Sequence, residues 1–139
     1  MNAGAVFLDT SAWLAALSVR ELRHAECARL YDDLAAARAT VLTTSLIVAE
    51  MHGLLVRRRG AANGLTLLDL VRSDPSFEVV RVDDELEARA IDGWLRRYQE
   101  LPLSLTDAVS FEAMRARGVR SAFTLDRHFE KAGFRMVPA

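Results

Sequence analysis

The feature that most constrains the fold is a short apolar run close to the start of the chain. Residues 5–8 (Ala-Val-Phe-Leu) are apolar without alternation, and the run stops at Asp9-Thr10-Ser11. A strand with one face in water alternates apolar and polar residues, whereas a continuous apolar run is typical of a strand covered on both faces. Asp, Thr and Ser are common caps of a following helix. The start of the chain therefore indicates a buried strand followed by a helix.

The rest of the chain repeats this alternation. Strands are predicted at residues 5–8, 40–44, 77–82, 121–124 and 135–137. Helices are predicted at residues 13–17, 24–38, 46–58, 61–71, 83–98, 106–117 and 126–131, with Ser45 as the cap of the third. Such alternation is typical of an α/β layered fold with a mostly parallel central sheet. No linker, low-complexity tract or repeat divides the chain, so we expect residues 1–139 to form a single domain.

Composition narrows the class of protein without deciding it. The 139 residues are 51% hydrophobic and 27% charged, which is typical of a globular protein. No apolar run reaches the roughly 18 residues of a membrane span, and the N-terminus lacks the basic start of a signal peptide, so we expect a cytoplasmic protein. The single cysteine, Cys27, excludes an intramolecular disulfide and a cysteine-based zinc site.

The net charge of −1 does not by itself favour a nucleic-acid ligand. Net charge averages over the surface, however, and does not report where each sign lies. Lys131 is the only lysine, so arginine supplies all other basic residues. Arginine is the better partner for phosphate, and the overall charge therefore leaves a nucleic-acid substrate open.

Four acidic residues stand out because of their positions. Asp9 and Asp126 each follow a predicted strand, and Asp107 opens a predicted helix. Glu50 lies within an apolar helical segment, with Leu46 among its neighbours one turn away. Ligand sites of open α/β sheets lie at the carboxyl ends of the strands, so we expect these acids to converge in one cleft.

Each acid also has a simpler interpretation. Asp9 and Asp126 could be helix N-caps, and Asp107 could be a first-turn acid that favours the helix dipole. Glu50 could form an ion pair with one of the arginines, because a buried carboxylate is costly unless it is paired, protonated or bound to a metal. Taken together, four carboxylates in one cleft could not all stay ionised without a cation. Oxygen ligands select hard divalent ions, so the sequence predicts an Mg²⁺ or Mn²⁺ site that handles phosphodiesters.

The four acids, with the residues around them, resemble the motifs of the PIN domain family. The motifs are Val6 to Ala12 around Asp9, Glu50 in its apolar helix, residues 105–108 (Leu-Thr-Asp-Ala) and residues 123–129 (Phe-Thr-Leu-Asp-Arg-His-Phe). Their order and spacing also fit, and the match extends from Ala5 to about Pro138. Each motif alone is weak, but the set in this order is fairly specific. Some relatives have Asn where this chain has Ser11, a change that keeps a hydrogen-bonding group.

The resemblance implies a three-layer α/β/α domain with a central sheet of about five short strands and Mg²⁺- or Mn²⁺-dependent ribonuclease activity. Asp9, Glu50, Asp107 and Asp126 match the catalytic, metal-binding acids. Many small members of the family are VapC-type toxins, which are inhibited by a small antitoxin protein and commonly form homodimers. The resemblance therefore implies an RNA substrate, an antitoxin partner and a dimer. It also assigns supporting hydroxyl groups to Thr10, Ser11 and Thr106.

Four arginines are candidate RNA contacts, namely Arg57, Arg58, Arg59 and Arg127. The alternative for the run of three is surface charge that complements the dipole at the end of a helix. The histidines His24, His52 and His128 have no zinc-type spacing. His128 stands close to Asp126, where contact with the acids or RNA is one interpretation and a plain surface position the other.

Other classes of function fit less well. The sequence has no glycine-rich phosphate loop and no serine-hydrolase elbow. A phosphoacceptor receiver domain also gathers acids at strand ends, but Lys131 lies on the wrong side of Asp126 and a mid-helix Glu has no role there. Two alternatives remain open, namely a PIN nuclease of RNA processing without an antitoxin and a non-enzymatic α/β signalling or binding module.

Overall fold

Five strands form one sheet in which every strand is parallel to its neighbours. The structure is a computed structural model and describes residues 4–139. The strands are β1 (Val6–Leu8), β2 (Val41–Thr44), β3 (Phe77–Val80), β4 (Ser121–Phe123) and β5 (Arg135–Val137). Their order across the sheet is β3-β2-β1-β4-β5. This arrangement confirms the predicted parallel sheet of about five short strands.

Seven α-helices and one π-helical turn connect the strands. The first four helices are α1 (Thr10–Leu17), α2 (His24–Ala36), α3 (Ser45–Arg59) and α4 (Ala61–Ser73). Then follow α5 (Asp84–Ala90), the π-helical turn Ile91–Leu95, α6 (Leu105–Arg117) and α7 (His128–Lys131). Within residues 4–139, no helix combines the length and the apolarity needed to cross a membrane.

Aromatic contacts show that helices cover both faces of the sheet. On one face, Trp13 of α1 stacks on Phe77 of β3 with ring centroids 5.8 Å apart. On the other face, Phe129 of α7 packs against Phe7 of β1 at 6.0 Å and edge-on against Phe111 of α6 at 4.9 Å. The domain therefore has the three α/β/α layers that the family resemblance implies.

Burial differs between the central strands and the edge strands. Phe7 in β1 and Phe123 in β4 are fully buried, and Leu42 in β2 is nearly so. The edge strands β3 and β5 are only half-buried. The non-alternating run at residues 5–8 therefore becomes the middle strand of the sheet, with a strand on either side and helices on both faces.

The start of α3 differs from the prediction by one residue. The hydroxyl of Thr44, not that of Ser45, caps the helix by accepting a hydrogen bond from the amide of Ile47 at 3.3 Å. The hydroxyl of Ser45 accepts from the amide of Val82 instead, at 3.2 Å. This contact follows the end of β3 at Val80, two residues before the predicted end of the strand.

The segment predicted as one helix at residues 83–98 is interrupted. Helix α5 ends at Ala90, and the chain continues as the π-helical turn before a non-helical stretch. The turn carries Trp94, whose ring packs on Phe111 at 5.1 Å and whose Nε1 donates to Glu112 Oε1 at 3.2 Å. The wider turn therefore coincides with the contact that joins this segment to α6.

Glu112 is a buried acid that the sequence analysis did not single out. It is 3% exposed and accepts hydrogen bonds from Arg89, Trp94 and Arg115. These donors, above all Arg115, lower the pKa of the Glu112 carboxyl. Its burial beneath three donors marks it as a structural link between α5, the π-helical turn and α6.

Helices α3 and α4 form a hairpin with very close backbone approach. Gly64 of α4 is buried, and a Cβ atom at this position would lie 2.7 Å from Cγ2 of Val56 and 2.9 Å from the ring of His52. Only glycine fits this crossing without movement of α3.

Candidate active site at the carboxyl edge of the sheet

The strands β1 and β4 are neighbours, but the helix after β1 (α1) packs on one face of the sheet and the helix after β4 (α7) packs on the other. A crevice forms at the carboxyl ends of such a strand pair, where α/β proteins place their ligands. Asp9 directly follows β1, and Thr124 and Asp126 follow β4. Asp107 lies in the first turn of α6.

Asp9 lies deepest in this crevice. It is 8% exposed, and its Oδ2 atom accepts hydrogen bonds from Thr124 Oγ1 at 2.7 Å and from Ser11 Oγ at 2.9 Å. Burial raises the pKa of Asp9 to about 6, the two hydroxyl donors oppose that rise, and the nearby charges of Asp126 and Asp107 add to it. Asp9 stands at the N-cap position of α1 but makes no side-chain cap hydrogen bond. The helix-cap interpretation therefore does not explain this carboxylate.

Asp126 is half-buried and held by its own loop. Its Oδ1 atom accepts a hydrogen bond from the backbone amide of His128 at 2.9 Å, and its own amide donates to Thr124 Oγ1 at 3.0 Å. Thr124 therefore touches both Asp9 and Asp126. The amide of Leu125 donates to Ser11 Oγ at 2.9 Å and ties the loop after β4 to the start of α1.

Asp107 forms a capping box with Ser104. The amide of Ser104 donates to Asp107 Oδ2 at 3.1 Å, and the amide of Asp107 donates to Ser104 Oγ at 3.0 Å. Burial raises the pKa of Asp107, the hydrogen bond from the Ser104 amide lowers it, and the charge of Asp126 raises it. Asp107 is therefore the first-turn acid of the simpler interpretation and also a neighbour of the other aspartates.

One oxygen of Asp107, one oxygen of Asp126 and one ring nitrogen of His128 all lie within 4.8 Å of one another. These three half-buried side chains are close enough to share a metal ion. The structure thus brings Asp107 and Asp126 together with His128, and Thr124 links the buried Asp9 to Asp126 beside them.

Glu50 differs from its prediction because it is exposed. The core-facing stripe of α3 consists of Ile47, Met51 and Leu55, and Glu50 lies beside it rather than on it. Its Oε1 atom accepts a hydrogen bond from Thr10 Oγ1 at 2.6 Å. Among the described residues, no arginine comes within ion-pair distance of it, so the ion-pair alternative also fails. Glu50 reaches the site only through Thr10, the neighbour of Asp9 in the chain.

The hydroxyl residues divide into three groups. Thr10 contacts Glu50 and Ser11 contacts Asp9, as the family resemblance implies. Thr106 lies half-buried in the first turn of α6, where its carbonyl oxygen accepts from Ser110. Thr124 is fully buried between two aspartates but was not singled out, although its place two residues before Asp126 could have indicated this role.

The four candidate arginines are all exposed, but they lie in different places. Arg58 pairs with Glu21 at 3.4 Å, and Arg59 donates to the carbonyl oxygen of Leu17 at the far end of α1. Arg59 is nine residues beyond Glu50 on α3, about 13 Å along the helix axis. Arg127 adjoins Asp126 and forms an exposed pair with Glu130 at 3.2 Å. Arg57 to Arg59 therefore flank the site at a distance, and Arg127 lies next to it.

Residues 6–135 match the PIN domain. The chain belongs to the PIN domain family, as the acidic motifs predict. It is 35% identical over 134 residues to the 23S rRNA-specific endonuclease VapC20 of Mycobacterium tuberculosis, across 93% of this chain and 95% of that relative.

Solved structures give the same result for the fold. The crystal structure of Mycobacterium tuberculosis VapC20, described as a sarcin-ricin loop cleaving toxin, superposes with a TM-score of 0.80 at 32% identity and covers 93% of this chain and 95% of that one. VapBC2 from Rickettsia felis, bound to promoter DNA, gives a TM-score of 0.68 at 14% identity, with 95% and 96% covered. FitAcB from Neisseria gonorrhoeae gives 0.67 at 15% identity, with 94% and 95% covered.

These similarities confirm the predicted fold, the resemblance to VapC-type members of the family, and the class of enzyme. The chain is a PIN-domain endoribonuclease, which hydrolyses phosphodiester bonds.

Proposed function

We propose that this endoribonuclease depends on Mg²⁺ or Mn²⁺ and that Asp9, Glu50, Asp107 and Asp126 form its catalytic, metal-binding site. The observation that carries the proposal is that Asp107 and Asp126 lie together, and that Asp9, buried without capping a helix, is joined to Asp126 through Thr124.

The residues fit a divalent ion. Burial and neighbouring carboxylates raise the pKa of both Asp9 and Asp107, and a nearby cation would relieve this cost of holding negative charge. Carboxylate oxygens are the ligands that suit Mg²⁺ and Mn²⁺. Asp107 and Asp126 would hold the ion, Asp9 would help to balance its charge, and Glu50 would contribute through its hydrogen bond with Thr10.

The chain's own residues prepare the site for in-line hydrolysis. Thr124 and Ser11 fix the Asp9 carboxylate, and the capping box holds Asp107 in one orientation at the rim. When bound, the metal supplies a water of lowered pKa and positive charge for the phosphate. Asp9, Glu50, Asp107 and Asp126 would orient the attacking water, and the expected products carry 5′-phosphate and 3′-hydroxyl ends.

We further propose 23S ribosomal RNA as the substrate. The supporting observation is the 35% identity to a 23S rRNA-specific endonuclease over nearly the whole of both chains. The similarity to VapC20 and to VapBC2 supports a VapBC-type toxin with a small antitoxin as its partner. We propose with it a cytoplasmic location, where ribosomal RNA is found. A homodimer belongs to the same proposal. A short reading frame for the antitoxin next to the gene would separate this role from RNA processing without an antitoxin.

The test is inducible expression of the protein, followed by mapping of new RNA 5′ ends. We expect growth arrest and a new end in 23S rRNA with the unaltered protein, and neither with Asp107→Asn, which keeps the capping acceptor but loses the negative charge. Asp69→Asn is the matched control, because Asp69 is an exposed acid on α4, outside the acid cluster.

Purified protein gives the second arm of this test. Cleavage of ribosomal RNA should need added Mn²⁺ or Mg²⁺, and Asp107→Asn should slow it by about 100-fold or more. If Asp107→Asn cleaves as fast as the unaltered protein, or if EDTA leaves cleavage unchanged, the proposed site is wrong. Cleavage of other RNA with 23S rRNA left intact would overturn the substrate alone.

A further inference from the structure

His128 lies beside the acids, although the proposed metal site uses carboxylates only. We propose that His128 binds the same ion as Asp107 and Asp126 through a ring nitrogen, and that this ligand makes the site prefer Mn²⁺ to Mg²⁺. The inference rests on the proposed metal dependence and adds a residue and a metal preference to it.

The geometry suits shared coordination. His128 Nδ1 lies 3.3 Å from Asp126 Oδ1. Two adjacent ligand atoms of an octahedral ion, each at about 2.1 Å, are about 3.0 Å apart, and two opposite ligand atoms are about 4.2 Å apart. The donor atoms of Asp107, Asp126 and His128 lie within 4.8 Å of one another, so small side-chain rotations suffice to close the set around an ion.

The fold holds the imidazole in this place. The backbone amide of His128 donates to Asp126 Oδ1 at 2.9 Å, which fixes the first residue of α7 relative to that carboxylate. The next residue, Phe129, is fully buried and packs against Phe7 and Phe111. Because Phe129 anchors α7 in the core, His128 is presented from a rigid element and loses little freedom on binding an ion.

The second part of the inference concerns the choice of metal. Mg²⁺ prefers oxygen ligands in a strict octahedral arrangement and gives up its water molecules reluctantly. Imidazole is a softer ligand that suits transition metals, and affinity for nitrogen-containing sites rises along the series from Mn²⁺ onwards. A site of carboxylates alone offers only oxygen, whereas one imidazole nitrogen favours Mn²⁺ over Mg²⁺.

A competing role for His128 is a hydrogen bond to Asp126 without contact to the ion. In that case the imidazole would only orient the carboxylate, and its loss would weaken Mn²⁺ and Mg²⁺ binding to the same degree. Direct ligation instead predicts a loss that is selective for Mn²⁺.

The experiment is pulsed electron paramagnetic resonance of the protein loaded with Mn²⁺, with no RNA present. We expect electron spin-echo envelope modulation from a directly bound ¹⁴N nucleus, and we expect His128→Gln to remove it. His24→Gln is the matched control and should retain the signal, because His24 Nδ1 contacts the carbonyl oxygen of Ala15 at 2.7 Å, between α1 and α2.

Calorimetric titration provides the second measurement. His128→Gln should weaken Mn²⁺ binding by about tenfold or more and Mg²⁺ binding much less, so that the preference for Mn²⁺ falls. Equal weakening for both ions, or no nitrogen signal in an unaltered protein that binds Mn²⁺, would overturn direct ligation.

Asp126→Asn separates failure of this inference from failure of the proposed function. If Asp126→Asn abolishes Mn²⁺ binding while the unaltered protein shows no nitrogen signal, the acidic metal site stands and the role of His128 is wrong. If Asp107→Asn and Asp126→Asn both bind Mn²⁺ as tightly as the unaltered protein, the metal site and the inference about His128 fail together.

Discussion

Asp9 combines burial with two hydroxyl donors on a single carboxylate oxygen. Its pKa rises from 3.8 to about 6 on folding, mainly because burial disfavours the charged form. The folded protein therefore holds the Asp9 proton more tightly than the unfolded chain does. This contribution to stability is complete below pH 3.8 and is lost as the pH rises through about 6.

The first prediction follows from the rise in the pKa of Asp9. In EDTA at pH 7.5, Asp9→Asn should be more stable than the unaltered protein by up to about 3 kcal/mol, because it removes a buried charge but keeps an oxygen for Thr124 and Ser11. The advantage should shrink as the pH is lowered towards 4. Urea unfolding at several pH values measures both effects. An Asp9→Asn protein no more stable than the unaltered one at pH 7.5 would contradict the pKa assigned to Asp9.

Single residues show where sequence reasoning succeeds and where it stops. Asp9, Asp107 and Asp126 could be located because strand and helix ends are visible in the hydrophobic pattern. The exposure of Glu50 could not be predicted, because apolar neighbours one turn away do not show which side of a helix faces the core. The position of His128 also depends on how α7 packs on the core through Phe129. The residues around His128 in the sequence do not indicate this packing.

At the scale of elements, the hairpin of α3 and α4 offers a matched pair of glycines. Gly53 in α3 and Gly64 in α4 both lie inside helices. A Cβ atom on Gly53 would meet only the flexible end of Arg57, at 3.2 Å from Nη1. A Cβ atom on Gly64 would overlap Val56 and the His52 ring.

The second prediction contrasts these two positions. Gly64→Ala should destabilise the protein by about 1–3 kcal/mol through overpacking at the crossing. Gly53→Ala should stabilise it by up to about 1 kcal/mol, because alanine has the higher helix propensity and Arg57 can move. Thermal unfolding of both variants gives the comparison. Equal effects of the two substitutions would mean that the helices do not approach each other at Gly64.

Most elements could be predicted from periodicity and caps, including all five strands. The exception is the π-helical turn after α5. Apolar spacing through Leu86, Ala90 and Trp94 is compatible with a regular helix, and the extra residue of the wider turn is visible only once Trp94 is seen to contact Phe111 and Glu112. Tertiary contacts of this kind override a local pattern that spans only a few residues.

At the scale of the whole molecule, the acids are concentrated at one edge of the sheet. Asp9, Asp107 and Asp126 come from different parts of the chain, and their mutual repulsion opposes folding when no cation is present. An ion bound only by the folded protein stabilises it by RT ln(1 + [L]/Kd), which is about 2.7 kcal/mol when the ion is present at 100 times its Kd.

The third prediction is that Mn²⁺ raises the melting temperature of the unaltered protein in a concentration-dependent way. Asp107→Asn should show little or no shift, because it lacks one of the shared carboxylates, and Asp69→Asn should shift like the unaltered protein. Differential scanning fluorimetry across a Mn²⁺ series measures all three. A shift that persists in Asp107→Asn would place the bound ion elsewhere on the molecule.

The hydroxyl of Thr124 joins the first strand to the fourth through Asp9, a residue 115 positions earlier in the chain. An unfinished chain that stops before Thr124 contains Asp9 and Asp107 but lacks Asp126 and the hydrogen bond from Thr124 to Asp9. During synthesis on the ribosome, the cluster of aspartates is therefore completed only after β4 has been made.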